Sequence, residues 1–236
     1  MQARVPDNMR IYAIGDIHGR LDLLEELQEK IAADAADATD QRIVQIFLGD
    51  YVDRGPDSKG VVDWLLQLPP TGWQRICLKG NHEATVLKFL KNSEIIRNWQ
   101  RHGGLENLLS YGVDLIGLQN EDGPDIVMRE YREKFPLTHF KFFSNLPLCV
   151  EFGDYFFAHA GVRPGVSLGK QKEEDLTWIR DEFLSSQLDF GKVIIHGHTP
   201  IEFPEIRANR INIDTRAYQS GRLTCLVLEK EMQRFL

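Results

Sequence analysis

Four short polar clusters along the chain carry side chains that bind metal ions: Gly15-Asp16-Ile17-His18-Gly19, Gly49-Asp50-Tyr51-Val52-Asp53-Arg54-Gly55, Gly80-Asn81-His82-Glu83 and His196-Gly197-His198-Thr199. A fifth, Ala158-His159-Ala160-Gly161, follows the aromatic run Tyr155-Phe156-Phe157. A pair of metal ions needs one ligand shared between them and separate ligands on either side. The carboxylate of Asp50 suits the shared role, because it offers two oxygens and a negative charge. Asp16 and His18 lie two residues apart, so on an extended segment both face the same way. With Asp50 they are the expected ligands of the first ion, and Asn81, His159 and His198 are expected to complete the second. Imidazole mixed with oxygen ligands suits borderline divalent metals such as manganese, iron or zinc better than calcium. Two such ions about 3.5–4 Å apart clamp a phosphoryl oxygen, lower the pKa of a bridging water and stabilise the charge of an in-line displacement.

The neighbouring residues fit the same chemistry. Arg54 directly follows the metal-binding stretch and has a fork geometry matched to phosphate oxygens. His82, next to Asn81, is placed to protonate a leaving oxygen, with Asp53 orienting its imidazole. Arg180, in Leu176-Thr177-Trp178-Ile179-Arg180, is a second candidate for binding phosphate. Singly, each residue has a plainer reading. Asp16 and Asn81 precede helices and could be simple N-caps, and Glu83 suits the dipole of a first helical turn. A lone His159 among aromatics would be a hydrogen-bonded structural histidine, and a lone Arg54 a surface ion pair. His102 and His139 fall outside the clusters altogether. The joint pattern outweighs these readings, since five clusters in matching positions are hard to obtain by coincidence.

Such clusters must be delivered by strand ends. Ile43 to Leu48 is an apolar, β-branched run that reads as a buried strand. Gly49 turns the chain, so Asp50 stands at the strand's carboxyl end, where open α/β sheets bind ligands. Arg10 to Ile14 and Gln74 to Leu78 are expected to be strands of the same kind, ending near Asp16 and Asn81. Helices are expected over 21–33, from Pro56 onward and from Glu83 onward, which gives a βαβαβα rhythm and a layered α/β fold. Between roughly 93 and 145 the rhythm breaks into a helical, aromatic and charged stretch, expected to be an insertion packed over the site. Leu148 to Phe152 and Tyr155 to Ala158 read as a hairpin about Gly153-Asp154. Lys192 to Ile195, Arg210 to Ile213 and Leu223 to Leu228 supply the remaining strands. One domain over 1–236 is expected.

Bulk properties set the limits. The 236 residues suffice for one well-buried domain, and 42% apolar with 27% charged residues is ordinary for a soluble globular protein. A net charge of −7 speaks against a nucleic-acid-binding surface. Cys77, Cys149 and Cys225 lie in apolar runs without CxxC spacing and read as buried, reduced thiols. Met1 to Arg10 is polar with no apolar signal core, and no stretch approaches a membrane span. No membrane partner is expected, and the cytoplasm is the expected compartment.

The motifs Gly15–Gly19 (GDIHG), Gly49–Gly55 (GDYVDRG), Gly80–Glu83 (GNHE), His159-Ala160 and Gly197–Thr199 (GHT) resemble those of the calcineurin-like metallophosphoesterases. Within them the chain resembles the phosphoprotein phosphatases, the serine/threonine phosphatase family, and its length resembles the bacterial and phage members. The resemblance implies a four-layer fold, a central β-sandwich flanked by helices, and water attacking a phosphate monoester without a phosphoenzyme intermediate. Residue by residue it supports Asp16, His18 and Asp50 on one metal, and Asp50, Asn81, His159 and His198 on the other. It also supports Arg54 and His82 in the roles above, while Arg180 matches a looser pattern. Many diesterases of the superfamily end in Gly-His-x-His, whereas here that last position is Pro200; the phosphatase family lacks this histidine too. His196 is expected behind the ligands and not among them.

The leading expectation is a manganese-dependent serine/threonine protein phosphatase acting on phosphoproteins or phosphopeptides. A symmetrical dinucleoside tetraphosphatase acting on dinucleoside polyphosphates is the nearest alternative. Glu83, where such hydrolases more often carry Asp, and the full Asp53-Arg54-Gly55 favour the former. A non-catalytic metal-binding scaffold is more remote, because the ligands and His82 are intact.

Overall fold

Alternation along the strands decides the layering. In β1 (Met9–Ile14), Ile11 and Ala13 face one way and Tyr12 and Ile14 the other, and all four are fully buried. A strand buried on both faces needs cover on both faces. The computed structural model, which describes residues 3–236, shows where that cover comes from. Met1 and Gln2, the start of the polar N-terminal stretch, lie outside the described residues.

After β1 come β2 (Arg42–Phe47), β3 (Trp73–Cys77), β4 (Cys149–Phe152), β5 (Tyr155–Ala158), β6 (Val193–His196), β7 (Glu205–Ile206), β8 (Arg210–Asn212), β9 (Cys225–Glu229) and β10 (Met232–Phe235). They form two five-stranded sheets, ordered β10-β9-β1-β2-β3 and β4-β5-β6-β8-β7. β1, β2 and β3 run parallel, as do β5, β6 and β8, with antiparallel strands toward the edges. Ile11, Ala13, Val44 and Ile46 of the first sheet meet Tyr155, Phe157, Ile195 and Ile211 of the second in one apolar cluster. On the outer face of the first sheet, Tyr12, Ile14 and Phe47 pack under α1 (Leu21–Ala35) and α2 (Ser58–Leu65). On the outer face of the second, Phe156, Ala158 and Ile194 pack under Leu176, Ile179 and Phe183. The result is helices, sheet, sheet, helices: a central β-sandwich in a four-layer α/β fold.

The break in rhythm at 93–145 is helical, as its composition implied. After α3 (Asn81–Phe89) come α4 (Ile96–Trp99), α5 (Gly104–Ser110), α6 (Gly123–Lys134) and α7 (Leu137–Asn145). Their buried residues Trp99, Leu108, Tyr131, Phe135 and Phe143 join the same cluster as the outer face of the first sheet.

Several details differ from the sequence reading. β7 and β10 are edge strands too short, or too exposed, to show a period. The third helix opens at Asn81, not Glu83, because Glu83 reaches back to the backbone N–H of the N-cap Gly80 at 2.9 Å. The three cysteines are free, but Cys77 and Cys149 are only partly covered, because β3 and β4 are edge strands; Cys225 is buried. No helix is long and apolar enough to cross a membrane, among the described residues.

Candidate metal centre and phosphoryl site

The site forms where the carboxyl ends of strands from both sheets converge. Asp16 and His18 follow β1, Asp50, Asp53 and Arg54 follow β2, and Asn81 and His82 open α3 just after β3. His159 follows β5 and His198 lies two residues past the end of β6. Seven non-glycine residues have positive φ among the described residues, and five belong here: His18, Asp50, Asp53, Arg54 and His198. Such conformations cost on the order of 1–3 kcal/mol each and persist only where the surroundings over-determine them. The surroundings do so. Asp50 O accepts from the backbone of Ile17 and His18 at 3.1 and 2.9 Å, and Tyr51 O accepts from Gly19 at 2.8 Å. Glu83, fully buried, accepts from the backbone of Asp50, Tyr51 and Gly80 at 3.0, 2.8 and 2.9 Å, locking the second and third clusters together.

The ligand atoms of His18, Asp50 and His82 lie within 4.8 Å of one another, and so, in a second group, do those of Asp50, His159 and His198. Asp50 stands in both. The histidines are oriented from behind. His18 Nδ1 meets Val52 O at 2.8 Å and His159 Nδ1 meets Leu48 O at 3.1 Å, so each carries its proton there and turns Nε2 toward Asp50. Arg180 Nε donates to His198 Nε2 at 3.1 Å, which puts the proton of that neutral ring on Nδ1. Asn81 Oδ1 lies 2.9 Å from His159 Nε2. Asp16 belongs to neither group; its carboxylate accepts the His198 N–H at 3.1 Å. Neither Asp16 nor Asn81 serves as an N-cap.

The donor set fits divalent cations. A Cβ at position 80 would collide with Asp50 Oδ1, and one at 197 with Asp16 Oδ1, so glycine at these two positions lets a carboxylate come up against the backbone. Asp16, Asp50, Glu83 and Asp214 are all buried in this one region. Burial, then Asp214, push Asp16 well above the usual carboxylate range; burial, then Asp50, push Glu83 up to about 7. Burial would also raise Asp50, but His159 and His82 more than reverse it and hold Asp50 well below its ordinary value. His159 in turn is raised against its own burial to about 9 by Asp50, while burial and His159 drive His198 down to about 2. Asp16 and Glu83 are thus pushed toward the protonated form, while Asp50 is kept ionised by His159 and His82: carboxylates and imidazoles packed this closely trade protons to balance their charge.

Beside the metal-binding groups stands a dyad. His82 Nδ1 meets Asp53 Oδ2, and Nε2 faces Asp50 Oδ2 at 3.6 Å. Asp53 only accepts, so Nδ1 carries the proton. Burial would lower His82, but Asp50 and Asp53 outweigh it and raise its pKa. A cavity of about 110 Å3 opens over these groups, lined by Asp50, Arg54, Asn81, His82, Trp99, His102, Trp178, Arg180 and His198 among others. It is small beside the ~300–1,000 Å3 of pockets that enclose drug-sized ligands. Arg54 and Arg180 both line it: Arg54 stacks on Tyr218 with its Cζ 4.6 Å from the ring centroid, and Arg180 is held by His198.

All ten residues singled out from the sequence therefore gather in one region. Others were missed. His102 lines the cavity, although it lies outside every motif. Asp214 follows β8 as the motif acids follow β1 and β2, a strand-end signal that its unremarkable neighbours hid. Tyr218, whose ring lies edge-on to His18 at 5.4 Å, carried no signal. Glu83, whose position suits a helix dipole, is the buried acceptor of three amides. His196 is fully buried and belongs to neither group of ligand atoms: burial and Arg210 hold it neutral, its pKa lowered to about 3, and its ring packs on Phe183 at 5.0 Å.

A family model described as calcineurin-like phosphoesterase matches residues 9–226. The asymmetrical bis(5'-nucleosyl)-tetraphosphatase PrpE of Oceanobacillus iheyensis is 29% identical, over 92% of this chain and 87% of its own length. Serine/threonine-protein phosphatase 2 of Escherichia coli is 28% identical, over 91% of this chain and 90% of its own. Among solved structures, the cold-active protein-tyrosine phosphatase of a psychrophilic Shewanella superposes with a TM-score of 0.67 at 16% identity, covering 99% of this chain and 80% of that one. At that identity the likeness speaks for the fold alone.

Proposed function

Since the chain belongs to the calcineurin-like phosphoesterase family and is a metal-dependent phosphoesterase, we propose that it is a serine/threonine protein phosphatase that works with two divalent ions, manganese first among them. The observation that carries the reading is Asp50, the one carboxylate common to both groups of ligand atoms, with the His82–Asp53 dyad beside it. Asp16, His18 and Asp50 would hold one ion, and Asp50, Asn81, His159 and His198 the other. When bound, such ions neutralise phosphoryl charge and acidify water.

The chain's own residues do the rest. Arg54 and Arg180 grip the phosphoryl oxygens from two sides with charge-assisted hydrogen bonds, fixing the phosphorus for in-line attack by water. His82 gives its Nε2 proton to the departing serine or threonine oxygen, and Asp53 stabilises and orients the imidazole. The cavity admits a phosphoryl group and leaves the remainder of the substrate outside, which favours a phosphorylated side chain standing out from a peptide.

The second reading is supported by a relative: PrpE is named for an asymmetrical cleavage of dinucleoside tetraphosphates, not the symmetrical cleavage expected from the sequence. A side-by-side assay with manganese of a phosphoserine peptide and diadenosine tetraphosphate separates the two. The proposal expects kcat/KM for the peptide to be at least about tenfold higher, a margin of ~1.4 kcal/mol in transition-state stabilisation. The reverse ratio would make the protein a dinucleoside polyphosphate hydrolase.

A further inference from the structure

Asp53 is fully buried, and its carboxylate accepts from three donors that lie outside the motif that carries it. Besides His82 Nδ1, it accepts from Trp99 Nε1 on Oδ2 at 2.6 Å and from Asn107 Nδ2 on Oδ1 at 2.7 Å. Both donors come from the helical stretch that interrupts the βα rhythm: Trp99 ends α4 and Asn107 sits in α5. Both are themselves fixed. The Trp99 ring packs against Phe89 at 5.0 Å and fills the space that a Cβ at Gly104 would need. Asn107 is fully buried, and its Oδ1 accepts from Tyr131 Oη of α6 at 3.0 Å. Arg54 N also donates to Gly103 O, at 3.0 Å, so the same stretch holds the residue after Asp53.

From this geometry we infer that Trp99 and Asn107 are positioning residues for the His82–Asp53 dyad. The inserted helices complete the proton-donating machinery of the site, and do more than cover it. The inference rests on the reading of His82 as the proton donor. A carboxylate with one partner can rotate about its Cβ–Cγ bond and share the imidazole proton from several angles. Three fixed donors leave Asp53 one orientation. His82 Nδ1 then sees an acceptor of fixed direction, and Nε2 keeps its aim at the leaving oxygen. Trp99 also lines the cavity, so the indole that sets the dyad also forms part of the wall around the substrate.

Trp99→Phe removes the indole N–H and keeps most of the ring, so it is the cleaner variant; Asn107→Ala also strands Tyr131 Oη. In Trp99→Phe, hydrolysis of a phosphoserine peptide, whose leaving alkoxide needs a proton, should fall about 10- to 100-fold, as for a lost hydrogen bond to a charged group. Hydrolysis of p-nitrophenyl phosphate, whose leaving group is a weak base, should fall less than about threefold. The low-field proton resonance of His82 Nδ1–H should shift or broaden in the same variant, a readout independent of turnover. In a His82→Asn background, Trp99→Phe should add no further leaving-group effect. If Trp99→Phe slows both substrates equally, or leaves both the rate and the resonance unchanged while His82→Asn keeps its leaving-group signature, the inference is overturned. If His82→Asn itself slows both substrates alike, it is the donor role of His82 that fails, and the inference falls with it.

Discussion

The two outer layers of the molecule serve the site unequally. Over the first sheet, α1 to α7 build a broad apolar cluster rich in aromatic rings, and it runs without a break from Leu24 to Phe143. Over the second sheet the layer is thin, centred on Phe183 with Leu176, Ile179 and a few small residues. The thick side holds Asp53 through Trp99 and Asn107, and the backbone of Arg54 through Gly103. The thin side supplies Trp178, which is 43% exposed, and Arg180, whose side-chain partners are both atoms of His198. Rigidity follows packing, because a side chain holds its geometry only when its neighbours lock its rotamer. The two arginines of the proposed phosphoryl grip are therefore held differently: Arg54 is tied by its backbone to the inserted helices and stacks on Tyr218, whereas the exposed Arg180 is held by His198.

Asp50 belongs to both sides, and its loss should have the largest effect. Asp50→Asn is expected to lose most bound metal and to lower turnover by about 10³-fold or more. Saturating manganese, at about 100 times its dissociation constant, should stabilise the parent protein by ~2.7 kcal/mol, a Tm rise of about 5–10 °C. That rise should vanish in Asp50→Asn. Metal analysis and thermal melts check this, and a variant with normal manganese content would remove Asp50 from the centre.

His82→Asn comes next. It is expected to cost about 10²–10⁴-fold on a phosphoserine peptide and much less on p-nitrophenyl phosphate, with metal content unchanged. This measurement also decides a fork in the geometry, since His82 and His18 both place Nε2 3.6 Å from Asp50 Oδ2. Loss of metal in His82→Asn would make the ring a ligand instead of an acid.

The two arginines test the asymmetry itself. Arg54→Ala should lower kcat/KM by roughly two to three orders of magnitude and leave metal binding nearly intact, as for loss of one preorganised donor. Arg180→Ala should cost only about tenfold, mostly in KM, because a loosely held group contributes little that is specific to the transition state. Equal losses at the two positions would show that the thin layer orders Arg180 as firmly as the thick layer orders Arg54.

Much of this was legible in the sequence because it is local. Strand ends, turn glycines and the Asp, Asn and His that follow them lie within a few residues of one another. A buried strand also shows itself by its apolar run, as Ile43 to Leu48 does. Asp16, His18, Asp50, Asn81, His159 and His198 could therefore be named together, with Arg54, His82 and Asp53 beside them. Element boundaries shifted by one or two residues where caps decide them, as when Glu83 folded back on Gly80 and moved the start of the third helix to Asn81.

What only the tertiary structure decided was who stands behind those residues. Trp99 and Asn107 lie 46 and 54 positions from Asp53 along the chain, and no spacing rule joins them to it. His102, Asp214 and Tyr218 reach the site from a helical stretch and from the segments that follow β8. Their residue types are common and their surroundings in sequence unremarkable. Candidate ligands can be read from sequence because each must sit at a strand end with a side chain of one chemistry. Their supports cannot, because any donor that arrives at the right point in space will serve, and that point is fixed only when the two sheets and the inserted helices have packed.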